Sequence, residues 1–177
     1  MEVLLPVLAI AATLNAFAQG GAASIAVVGE FSNMRYTEEH AYGYTVQFWR
    51  EGDTLFGLFL ASEGLAGDTP TGVLEDVRFD SRTGKLSFKA KLTMGAAYLG
   101  NGRQEPSRDL FEFEGVLSRT AVVGTLKRSD MLRAAGAGTS QRVRLSKQAQ
   151  STMTTPKSYD EWKRMVGEIL KFRGPKW

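Results

Sequence analysis

The stretch Val73–Leu92, VLEDVRFDSRTGKLSFKAKL, constrains this chain more than any other, because it alternates apolar and polar residues on both sides of one turn. Val73, Val77 and Phe79 share one face of the first strand. Leu86, Phe88, Ala90 and Leu92 share the matching face of the return strand. Ser81–Gly84 reverse the chain, with Gly84 supplying the left-handed corner that such a turn needs. Counting outward from the turn sets Phe79 opposite Leu86 and Val77 opposite Phe88, and sets Asp80 against Lys85 and Asp76 against Lys89. A period of two cannot bury one face of a helix, so the segment is a β-hairpin.

Two further hairpins echo it. Tyr44–Arg50 and Thr54–Ala61 flank a turn at Gly52, and Leu110–Leu126 sets Phe111, Phe113, Gly115 and Leu117 opposite Val122, Gly124 and Leu126. Ile25–Phe31 reads as a first strand and Arg142–Ser146 as a last one, which makes eight. Eight antiparallel strands can close into a barrel whose interior is filled or holds one small ligand. Gly57, Gly115 and Gly124 among large rings suit the bends of such a closed sheet. The segments at 33–40, 62–72, 95–108 and 128–141 are rich in turn formers and read as connections.

The strand Leu55–Leu60 is apolar on both faces, so something outside the sheet must cover it. Ser158–Phe172 supplies a candidate. Ser158 and Glu161 form a capping box, Gly174-Pro175 stops the helix, and Tyr159, Trp162, Met165 or Val166, Ile169 and Leu170 make one apolar stripe. The expected fold class is therefore all-β: an eight-stranded antiparallel meander barrel over residues 19–157, with a C-terminal helix at 158–172 packed on its outside.

Met1–Gln19 carries an apolar run from Val3 to Leu14 and an Ala-Phe-Ala end, the pattern of a signal peptide cleaved after Ala18. Glu2 stands where a base is usual. No other stretch is long and apolar enough to span a bilayer once this leader is removed, so a periplasmic or secreted protein is expected. The chain has no cysteine, which excludes disulfides and thiolate chemistry. The net charge of +3 conceals an asymmetry. Residues 1–126 hold 10 bases and 15 acids, whereas residues 127–177 hold 12 bases and 4 acids. The basic segment either docks on the acidic body or reaches an anionic surface.

Taken together, these patterns resemble a lipocalin-like, calycin-type barrel. Gly29-Glu30-Phe31 stands at the place of that family's Gly-x-Trp element, with phenylalanine in place of tryptophan. The resemblance implies a cup for a small apolar or amphipathic molecule.

Inward-facing Phe48, Phe79, Phe88, Phe111 and Phe113 are the expected ligand-binding residues. Glu75 joins them if strict alternation holds, since it then points inward opposite Ala90; a β-bulge near Leu74 and Glu75 would turn it to solvent. No catalytic motif, metal set or cofactor fingerprint appears. The lone His40 lacks a second histidine, and Glu112 and Glu114 read as a solvated face. The scattered bases do not suggest nucleic-acid binding. The expected function is that of an exported, noncatalytic, monomeric binding protein without cofactor. The alternative is an envelope interaction module that uses its outer surface and basic C-terminal segment.

Overall fold

The computed structural model describes residues 24–65, 69–99, 102–132, 138–151 and 153–177. The expected leader lies outside them. Eleven strands and one helix follow in chain order: β1 (Ile25–Ser32), β2 (Arg35–Tyr36), β3 (His40–Glu51), β4 (Thr54–Leu65), β5 (Thr71–Phe79), β6 (Lys85–Leu92), β7 (Ala96–Tyr98), β8 (Gln104–Pro106), β9 (Asp109–Leu117), β10 (Ala121–Asp130), β11 (Gly138–Lys147) and α1 (Tyr159–Arg173). Eight of them, β1, β3, β4, β5, β6, β9, β10 and β11, form one antiparallel sheet that closes on itself through β1–β3 and β1–β11 pairing. Closure removes the unpaired edges that an open sheet of this size would expose.

The connections read as loops are partly ordered. β7 and β8 make a small hairpin within the flap between β6 and β9, and β2 pairs with the start of β3. The long strands β4 and β10 also run further than the sequence pattern suggests, to Leu65 and Asp130.

The organising hairpin keeps its tip and changes its far half. Phe79 faces Leu86 as alternation requires, but the register shifts between Glu75 and Arg78, and Asp76 adopts a positive φ of 51°. The extra residue reverses which side each upstream residue faces. Leu74, not Val73, therefore enters the core opposite Ala90, and Val73 turns outward beneath the helix. The shift leaves Val77 partly buried against the core. Glu75, expected inward on strict alternation, lies exposed on the outer wall with its carboxylate 2.9 Å from Lys91 Nζ. Asp76 still meets Lys89, at 3.0 Å.

The barrel interior is packed with rings. Centroids of Phe48 and Phe88 lie 6.3 Å apart, Phe88 and Phe113 5.0 Å, Phe59 and Phe88 5.9 Å, and Phe59 and Phe111 5.2 Å. Such spacings are those of rings in direct contact. Gly115 and Gly124 face each other across β9 and β10, and a Cβ on either would come within 2.7 Å of Phe113 Cζ. Absent side chains at this pair are what let that ring lie flat against the wall.

A second core lies outside the barrel. Trp162 and Val166 of α1 pack with Trp49, Phe56, Leu58 and Ile25, so the outer side of the doubly apolar strand is covered as its sequence requires. Trp49 Nε1 also donates to the Thr154 carbonyl at 3.0 Å, anchoring the segment that leads into the helix. Ser158 Oγ accepts from Glu161 N at 3.2 Å, while the Glu161 carboxylate accepts from Lys157 N at 2.6 Å, one residue earlier than a reciprocal capping box would place it.

Candidate functional site

Because strands run antiparallel, every tight hairpin turn of the meander falls at one end of the barrel and the longer connections fall at the other. The turns β3–β4, β5–β6 and β9–β10, with the end of β11, make the first end. The small β7–β8 hairpin, with the end of β10 and the start of β11, makes the second. Each end carries a recess.

At the flap end, a recess of about 570 Å³ is lined by Met94, Ala96, Ser107, Asp109, Arg128 and Asp130 among others. Its most buried charge is Asp109. That carboxylate accepts from Ser107 Oγ at 2.5 Å, from Met94 N at 3.1 Å and from Arg128 Nε at 2.9 Å, and Arg128 reaches on to Glu63 at 2.7 Å. Burial opposes the charge on Arg128, but its hydrogen bond to Glu63 and the charge of Asp109 outweigh it and raise the guanidinium pKa. Nearby, burial raises the Tyr44 phenol pKa, reinforced by the charge of Glu63, and Gln141 Nε2 donates to its oxygen at 2.7 Å. The lone pairs of Asp109 are already occupied, so this cluster clasps the flap to the barrel.

The turn end differs in kind. A recess of about 470 Å³ has an apolar floor that includes Val28, Phe31, Leu55 and Phe79, and its rim carries Arg50, Arg82, Arg119 and Lys147 with no acidic residue. Two of these bases sit in identical tripeptides, Ser81-Arg82-Thr83 and Ser118-Arg119-Thr120, at the tips of neighbouring hairpins. The turns are tied together by Leu117 N donating to the Gly84 carbonyl at 2.8 Å.

Turn formation uses the other polar groups at these tips. Asp80 accepts from Arg82 N at 2.9 Å and from Thr83 Oγ1 at 2.7 Å, and the Thr83 hydroxyl bond is the chief reason its pKa is lowered. Ser118 Oγ accepts from Ala121 N at 3.0 Å and donates to the Ala121 carbonyl at 2.9 Å. Arg50 is held by Asp53 at 3.0 Å. Lys147 Nζ donates to the Val28 carbonyl at 3.0 Å and stands 5.8 Å from the centre of the Phe31 ring. The guanidinium groups of Arg82 and Arg119 are exposed, and neither takes part in an ion pair among the described residues.

The residues singled out by sequence divide between these places. Phe48, Phe88, Phe111 and Phe113 are fully buried within the barrel, where they touch one another or neighbouring rings. Phe79 is half-buried and reaches the turn-end recess; Glu75 is outside. Alternation marked the inward rings correctly, though not Val73 or Glu75, and could not tell a ring that fills the interior from one that lines an opening. The repeated Ser-Arg-Thr turns were the legible signal for the rim, and their place at hairpin tips of the same end follows from meander topology.

His40 stacks on Tyr42 with centroids 6.0 Å apart, and no cluster of three or more metal-ligating side chains occurs among the described residues. Nor does any described helix have the length and apolarity to cross a membrane. The basic C-terminal segment is built into the body: Lys127 and Arg128 lie on β10, Arg142, Arg144 and Lys147 on β11, and Lys163 and Lys171 pair with Asp160 and Glu168 along α1. No protein-family model, curated protein or solved structure matches the chain.

Proposed function

We propose that this is an exported, noncatalytic, lipocalin-like barrel protein that binds a small amphipathic molecule at its turn end, not among the interior rings. The observation that carries the reading is the turn-end recess, where half-buried Val28 and Phe79 meet solvent beside exposed bases. A concave apolar surface with a few converging polar groups is the usual form of a small-molecule site. The filled interior argues for placing the ligand at the mouth, since a guest among contacting rings would have to displace them. Export rests on the apolar leader and its Ala-Phe-Ala end.

Displacement of the fluorophore anilinonaphthalene sulfonate by aliphatic amphiphiles, followed by native mass spectrometry of the complex, tests this function. A one-to-one complex that is lost in Val28→Trp, where the larger side chain occupies the recess, is expected. Uptake that survives Val28→Trp in a variant with an unchanged circular dichroism spectrum would refute the mouth as the site.

A further inference from the structure

We infer that the turn-end recess selects an amphipathic anion, with Arg82, Arg119 and Lys147 receiving a carboxylate or phosphate head group and the apolar floor receiving the chain. This rests on the binding reading above and adds the charge and chemistry of the ligand.

Three features of the rim lead to it. Arg82 and Arg119 each stand at the middle of adjoining turns, 80–84 and 118–120, that differ in length, and the Leu117–Gly84 hydrogen bond fixes those turns side by side. Within the turns the Asp80 carboxylate and the Thr83 and Ser118 hydroxyls are committed to backbone or to each other, whereas the guanidinium groups of Arg82 and Arg119 are exposed and make no ion pair among the described residues. Lys147 is tethered to the Val28 carbonyl and leans over the Phe31 ring, at the border between rim and floor.

Arg82, Arg119 and Lys147, unlike Arg50, make no ion pair among the described residues; like charges of this kind repel one another, and an anion that enters removes that repulsion. A guanidinium presents paired N–H donors in a plane that matches a carboxylate or phosphate, which a lone ammonium does not. The apolar floor disfavours a bare inorganic anion as the whole ligand, since Phe79 and Val28 would gain nothing from it. A neutral apolar molecule would leave the rim cations unused. An amphipathic anion satisfies both parts at once, and the absence of any acidic side chain along the lining means nothing within it opposes the head group.

The test compares dodecanoate, dodecyl phosphate, dodecanol and dodecyltrimethylammonium by isothermal titration, at low and at 0.5 M salt, with the purified chain. Dodecanoate and dodecyl phosphate are expected to bind at least about tenfold more tightly than dodecanol, with an affinity that falls as salt rises. The preference between the two anions distinguishes carboxylate from phosphate. In the double variant Arg82→Gln/Arg119→Gln, the anions should weaken about tenfold or more while dodecanol is unchanged. Both positions are exposed turn tips, and an unaltered melting curve checks that the barrel persists.

Equal binding of dodecanol and dodecanoate, insensitive to the double substitution, would overturn the head-group assignment and leave the recess as a plain apolar site. Failure of all four probes would overturn the binding function itself. Binding to vesicles of anionic phospholipid, with none to the monomeric amphiphiles, would also overturn it and make the rim a membrane contact.

Discussion

Replacing Asp109 with asparagine keeps the shape of the side chain and removes its charge, at a site where that charge is almost wholly out of water. Asp109 is 2% exposed and Arg128, its partner, has a side chain 27% exposed. The carboxylate accepts a hydrogen bond from Arg128 Nε at 2.9 Å and lies 2.9 Å from Arg128 Nη2, besides accepting from Ser107 and Met94. Hydrogen bonds involving a charged group contribute about 1.5–3 kcal/mol each, and breaking one side of a buried ion pair typically costs about 3–5 kcal/mol. Glu63 remains 2.7 Å from Arg128 and compensates part of its charge, which sets the expectation near the lower end, about 3 kcal/mol.

Removing both partners differs from removing one. In Asp109→Leu/Arg128→Met no buried charge is stranded, so the double variant should be less destabilised than Asp109→Asn alone. Urea denaturation followed by tryptophan fluorescence measures both, because Trp49 and Trp162 report the helix side while Trp177, whose Nε1 donates to the Leu92 carbonyl at 2.9 Å, reports the flap end. A loss below about 1 kcal/mol for Asp109→Asn, or a double variant less stable than the single one, would refute the argument that this ion pair clasps the flap.

Three other outcomes follow from the same structure. Trp162→Ala removes a 2% exposed ring that sits 4.8 Å from Phe56 and 5.9 Å from Trp49; it should cost about 3–5 kcal/mol and release α1, seen as loss of helical circular dichroism before the barrel melts. Gly124→Ala places a Cβ 2.7 Å from Gly115 Cα, closer than carbons can approach, and should lower stability in urea by at least about 1–3 kcal/mol, whereas Gly64→Ala meets open space and should cost far less. Asp76 has a pKa lowered chiefly by its hydrogen bond to Lys89, and Asp160 likewise by Lys163. A carboxyl whose folded pKa is depressed contributes stability above its unfolded value, about 3.9, and loses it as pH falls through the folded value, so the melting temperature should drop between about pH 4 and pH 2 and the drop should shrink in Asp76→Asn.

Local pairing was readable in the sequence because adjacent strands joined by short turns need only alternation and a glycine corner. Phe79 opposite Leu86, Phe113 opposite Leu126 and the helix stripe through Trp162 and Val166 are of this kind. A bulge that turns Glu75 to solvent was legible as an alternative, because a carboxylate on an apolar face is costly, but its place at Asp76 and the choice of Leu74 over Val73 for the interior were not, since alternation alone carries Val73, Val77 and Phe79 as one face and only packing decides between them. Phe48, Phe88, Phe111 and Phe113 share an inward signature with Phe79, and what separates interior filling from a half-buried wall is the distance between rings on different strands.

The order of apolar and polar residues determined by itself that this chain makes antiparallel hairpins, that strand Leu55–Leu60 needs a cover, and that a capped amphipathic helix stands ready to supply it. Closure of β1 onto β3 and β11, the filling of the interior, and the gathering of two Ser-Arg-Thr turns with Lys147 around one apolar recess were decided only by the tertiary structure. The physical reason is range. Alternation and turn chemistry act over a few residues along the chain, while barrel closure, ring packing and the convergence of charges depend on which distant strands the whole sheet brings side by side.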